Sequence, residues 1–224
     1  MKCIFVQLNE INFDIANDYI KKGYKLNFFK KVLEKGIDTF ENEEYKNLEP
    51  WIQWFSIFKG KLFKEHRVFR LGDGLKFPGD NIFSDLTNKL KIKCGAISPM
   101  NISGKDINFD FFIPDPWSNE NSQGNFSLKL ISDSIKQGVN DNSGRGLNFL
   151  NKVKLLLGLL LNLNLTELNN LYKFYKNIKN LSFRKALFLD YLLVILQKSL
   201  TKKYKTQFTS IFLNAGAHIQ HHYL

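Results

Sequence analysis

Residues 3–14 read CIFVQLNEINFD, and the reading of this stretch decides the fold. Cys3 to Leu8 is a short apolar run, the length of a strand buried on both faces. It stops at Asn9 and Glu10 and runs on through Asn12 to Asp14. Open α/β sheets bind ligands beyond the carboxyl ends of their strands. A carboxylate at the tip of a first strand therefore stands where a metal or substrate would sit. The same polar residues also suit the cap of a following helix. Both readings stay open from this stretch alone.

Working outward, Ile15 to Lys35 carries apolar residues at helical spacing, broken at Gly23 and stopped at Gly36. Ile37 to Tyr45 reads as a return strand with an acidic end at Glu41, Glu43 and Glu44. Pro50 turns the chain into a helix over Trp51–Phe58, ended by Gly60. Trp51, Gln53 and Trp54 at the start of that helix suit either a pocket or a Trp-rich core, and a helix N-terminus favours anions. Glu65, His66 and Arg67 read as a polar loop with His66 at the surface. A short helix over Asn81–Leu90 precedes a second buried strand, Ile92–Ile97. This alternation predicts a mostly parallel sheet with right-handed crossovers, flanked by helices. Phe109 to Trp117, FDFFIPDPW, is too rich in proline for an interior strand and reads as a structured loop.

From Asn125 the pattern turns helical, with helices over 127–138, 147–163, 166–179 and 182–203. Val153 to Leu165 is apolar nearly all round, which suits a buried helix or a shallow membrane-surface contact. Thr206 to Leu213 returns to strand chemistry. The expected organisation is an α/β core over 1–124, a helical insertion over 125–205, and a return strand with a His-rich segment over 206–224. In that segment His218 and His222 are four apart and His221 is three from His218, so they share a helical face. Imidazole is the commonest metal ligand, so the cluster suits a metal or phosphate site as well as an incidental polar end.

A chain of 224 residues with 44% hydrophobic content holds one sizeable core, which excludes a disordered chain. Cys3 and Cys94 lie in apolar runs, so buried thiols are expected rather than a disulfide. No run before Gln7 is long enough for a secretory core, and none reaches the ~18 apolar residues of a membrane span. The cytoplasm is the expected location. Residues 1–120 hold 18 Lys and Arg against 17 Asp and Glu, a net of +1, whereas residues 121–224 hold 14 against 4, a net of +10. The excess is lysine, and bidentate base recognition favours arginine, so nucleic acid ranks last as a partner. Coding bias comes first, and an anionic membrane surface or partner protein second.

Several pieces resemble the alkaline phosphatase-like hydrolases, which include type I phosphodiesterases and sulfatases. They are the strand ending at Asn9-Glu10 with Asp14, the stretch LNFFKKVLEKGIDTFEN, the stretch EPWIQWFSIFKGKLFKEHRVFRLGD, and the stretch SIFLNAGAHIQHHY. The likeness covers about residues 1–117 and 206–224. It implies a metal-dependent hydrolase of phosphate or sulfate esters, including those of glycans, with zinc or manganese as the divalent metal. Carried onto this chain, the ligands are Glu10 and His218 with His221 or His222, and Gln53 and Trp51 line the catalytic pocket. The chain departs from the family at the nucleophile, since Pro50–Gln53 offers no hydroxyl or thiol. Lys59 replaces the threonine of the turn, and Asn214 or Ala217 the acidic partner of the histidines. Family members continue past this segment. The resemblance thus also implies a truncated or degenerate member, whose basic helical half binds an anionic membrane surface or a partner protein.

Overall fold

A computed structural model describes residues 2–37, 44–141 and 146–223. The chain opens with β1 (Cys3–Leu8), α1 (Phe13–Lys21) and α2 (Asn27–Lys35), then α3 (Pro50–Lys59), α4 (Phe63–His66) and α5 (Ile82–Ser84). Next come β2 (Cys94–Ile97), β3 (Phe111–Ile113), α6 (Phe126–Asn140), α7 (Phe149–Leu160), α8 (Leu165–Ile178) and α9 (Arg184–Tyr204). The last elements are β4 (Phe208–Leu213) and α10 (Ala215–Tyr223). Among the described residues these four strands form one sheet in the order β1-β4-β2-β3, and each pairs with its neighbours in parallel. The α/β architecture and parallel sheet agree with the sequence reading.

The two long crossovers explain the layers. From β1 to β2 the chain moves one way across the sheet, and from β3 to β4 it moves back. A shared handedness requires helices from opposite directions to cover opposite faces. Side-chain alternation shows that they do. Cys94, Ala96 and Phe112 pack with Phe55, Phe58 and Phe83 of the first crossover. Ile97, Phe111, Ile113 and Ile211 pack with Leu128, Ile131, Leu192, Leu196 and Leu200 of the second. The helical stretch 125–205 thus shares its core with the sheet.

Local signals placed most elements. Asn12 caps α1, its side chain accepting from the backbone N–H of Asp14 and Ile15. Gly23 has φ +89° and separates α1 from α2. Gly60 ends α3 in the left-handed conformation. Asn164, with Glu167 bonding back to it, caps α8, which starts at Leu165, one residue before the expected Thr166.

Four expectations need correction. β1 is a strand but is not buried on both faces, because it lies at the sheet edge. Ile4 and Val6, 53% and 43% exposed, point to the face that the second crossover's helices leave uncovered. Cys3, the first residue of this edge strand, is exposed as well, while Cys94 is buried, and both thiols are free. Phe111–Ile113, expected as loop, is a strand at the opposite edge, and its prolines fall just beyond it. His66 ends a helical turn and is half-buried, packed edge-on against Phe55 with centroids 5.0 Å apart. Of the expected strand Ile37–Tyr45, residues 38–43 lie outside the described residues, and Tyr45–Asn47 form a 3-10 turn.

Gly95 is where the central strands demand a missing side chain. A Cβ there would stand 2.2 Å from the ring of Phe111, which is wholly buried. Gly95→Ala is expected to lower the unfolding free energy by about 1–3 kcal/mol in urea titration. The same substitution in a Phe111→Leu background is expected to cost measurably less.

Candidate functional site

The carboxyl ends of β1 and β4 meet side by side. Asn9, just past β1, donates its backbone N–H to the Leu213 carbonyl at 3.1 Å. Its side chain donates from Nδ2 to Asn214 Oδ1 at 2.9 Å and accepts from Trp54 Nε1 at 3.2 Å. Asn9 thereby ties α3, β1 and the β4–α10 junction together. Asp190, from α9, holds the start of α10: its two oxygens accept from the backbone N–H of Asn214 at 3.2 Å and of Ala215 at 2.8 Å. Burial pushes the Asp190 carboxyl up to about 6, against the opposing pull of those two hydrogen bonds.

With α10 fixed at its first turn, its later residues reach back over β1. Gln220 donates to the Glu10 carbonyl. His221 Nε2 stands 2.5 Å from Glu10 Oε2, an exposed carboxylate–imidazole contact between residues 211 positions apart. Beside it opens a cavity of about 670 Å³. Glu10, Trp51, Gln53 and His221, all named from sequence, line it, together with Asn9 and Trp54. The polar ends of the indoles are occupied, since Trp51 Nε1 donates to the Phe69 carbonyl at 2.9 Å. What the indoles offer a ligand is therefore apolar surface. The Gln53 amide donates to the Leu48 carbonyl at the start of α3.

His218 and His222 are not part of the lining. They sit one turn apart on the exposed side of α10, with ring centroids 4.7 Å apart. Partial burial, then the neighbouring His222 and His221, hold the His218 imidazole below its usual value. A catalytic zinc site takes three protein donors. Glu10 and His221 supply two, and among the described residues no group of three His, Cys, Asp and Glu side chains is arranged to hold a metal ion. The described donors do not complete a metal site. The carboxylates lining the cavity are Glu10 and Glu49, and among the described residues no lysine or arginine joins them.

Among the described residues the lining also carries no hydroxyl or thiol. Ser56, one turn further along α3, touches His66 Nε2 at 2.8 Å, which invites comparison with a nucleophile–base pair. The proton positions argue otherwise. His66 Nδ1 accepts from the Val68 N–H at 3.0 Å, so the neutral ring carries its proton on Nε2. Burial, and then Lys59, keep this imidazole below its usual value and hence neutral. The ring donates to Ser56 Oγ, whose own proton goes to the Ile52 carbonyl at 3.0 Å. The pair staples α3 to α4 and takes no proton from the serine.

Sequence reasoning missed Asp190 and the tethering roles of Asn9 and Asn214. A signal for Asp190 existed: it is the sole acidic residue of α9, set in the apolar run FLDYLLVIL. Comparison with protein-family models, curated proteins and solved structures finds no match to this chain.

Asp190 gives a pH signature. Its folded-state value lies above the unfolded 3.8, so the folded chain binds this proton more tightly. Its contribution to stability is greatest below that value and declines as pH rises to about 6. Relative to Asp190→Asn, the wild-type unfolding free energy is expected to fall by about 2 kcal/mol between about pH 4 and about pH 7. Urea titrations of both proteins at the two pH values measure it.

Proposed function

We propose that the rim cavity takes a phosphate or sulfate ester with a glycan as its organic part, and that the chain is a hydrolase-like domain of the alkaline phosphatase type. The observation that carries this reading is the Glu10–His221 contact at the carboxyl edge of a parallel sheet, beside two indoles. Indole surface accepts the apolar face of a sugar ring, and the amide of Asn9 marks the polar wall. The anionic end of such an ester meets Glu10 and Glu49 and needs a countercharge. Zinc or manganese would supply it, polarising an ester oxygen as a Lewis acid, once a third donor joined Glu10 and His221. Since the described lining residues offer no nucleophile, the reading takes water as the attacking group. With no metal on it, His221, oriented by Glu10, is the residue to take that water's proton.

A second reading is a binding domain without turnover. The lack of a hydroxyl or thiol among the described lining residues favours it. One set of measurements separates the two. Purified chain is assayed for bound metal and for hydrolysis of p-nitrophenyl phosphate, bis(p-nitrophenyl) phosphate and p-nitrophenyl sulfate, with added zinc, manganese or chelator. On the hydrolase reading, Glu10→Gln and His221→Ala each lower the rate by about a hundredfold or more. No turnover, with glucose 1-phosphate binding that weakens in Trp51→Ala, selects the binding domain. Absence of both turnover and binding overturns the assignment of the cavity.

A further inference from the structure

Helix α7 is built inside out. Its stripe toward α6 includes Asn151, Gly158 and Asn162 just past its end, all buried. These are held by polar contacts and close approach. Ser134 Oγ donates to the Asn151 carbonyl at 3.0 Å, and Asn162 Nδ2 donates to Ser127 Oγ at 2.6 Å. A Cβ on Gly158 would stand 2.6 Å from Ile131. The outward face is the apolar one. Phe149, Leu150, Val153, Leu156, Leu157 and Leu160 all stand exposed, from 46% at Leu157 to 82% at Phe149. At 3.6 residues per turn these six fall within one arc of about 120°.

Cations border this arc. Lys152 and Lys154 lie on its two margins, by the same helical spacing. Lys203 stands at its far end, with Nζ 2.9 Å from Asn162 Oδ1. The helix carries no acidic residue, and the half of the chain that contains it has a net charge of +10. A second copy docked on this face would set lysine against lysine. A surface of anionic phospholipid would meet the lysines with opposite charge and the leucines with acyl chain. Twelve helical residues span about 18 Å, short of the ~30 Å hydrocarbon core. Among the described residues no helix is long and apolar enough to cross a membrane. Such a helix lies in the plane of the interface.

We propose that α7 is a membrane-contact helix that rests its Phe149–Leu160 face on an anionic lipid surface, with Lys152 and Lys154 at the headgroups. The full chain, incubated with sedimenting vesicles of phosphatidylcholine alone or with one quarter phosphatidylglycerol, tests it at low salt. Partitioning onto the anionic vesicles is expected to be at least tenfold stronger, and to weaken as salt is raised. Leu156→Glu with Leu160→Glu is expected to remove it, with helical content and urea midpoint unchanged because neither side chain packs inward. Lys152→Glu with Lys154→Glu, which leaves the apolar face intact, is expected to weaken it tenfold or more. Equal binding to neutral and anionic vesicles overturns the proposal. So does undiminished binding by the leucine variant, or no vesicle binding alongside self-association that the leucine variant abolishes.

Discussion

The rim depends on one constraint: β4, formed by residues 208–213, lies between β1 and β2. Among the described residues β1 has no other strand partner, so the first strand joins the sheet through one of the last segments of the chain. That insertion makes Asn9 and Asn214 neighbours and sets α10 over the end of β1. Asp190 then decides where α10 starts, and through it where His221 can reach. The Glu10–His221 contact is the end of this series of placements, so the helices of the second crossover help to shape a cavity they do not line.

Much of the fold was legible because local signals and periodicity agreed. Asn12, Gly23 and Gly60 each had a conformational reason to sit where they do. The apolar runs at 3–8, 94–97 and 208–213 had strand length. What local reading lacked was strand order. A run of apolar residues at an edge looks the same as one in the middle, so Cys3, Ile4 and Val6 were expected inside. Pro114 and Pro116 argued against a strand that ends just before them. In the site, residue types picked out Glu10, Trp51, Gln53 and His221, which the fold brings together. They could not separate His221 from His218 and His222. His218 and His222 share one side of α10 and His221 turns to Glu10, and the tether that sets this rotation lies on a distant element.

Charge divides the molecule. The first 120 residues are nearly neutral and supply the cavity lining apart from His221, while the rest hold the excess lysine. Helix α7 shows why high apolar content is a poor guide to burial when taken residue by residue. Only Leu155 and Leu159 of its leucines turn to the core, beside Asn151 and Gly158, while the others stand exposed. The carboxylates of the cavity wall and the lysines bordering α7 are two electrostatic settings on one sheet.

Gln7 has a role that hydrophobicity would not assign. It is the polar member of β1, yet it is fully buried and donates its amide to the Ser210 hydroxyl, while Ile4 and Val6 stand bare. Apolar content does not choose which face of β1 turns toward α3, since either set of alternating side chains would serve. A slip of one residue would exchange them. The amides mark the alignment: Gln7 with Ser210, and Asn9 with Asn214. The cavity wall and the strand alignment are therefore written in the same residues, and re-cutting the one unsettles the other.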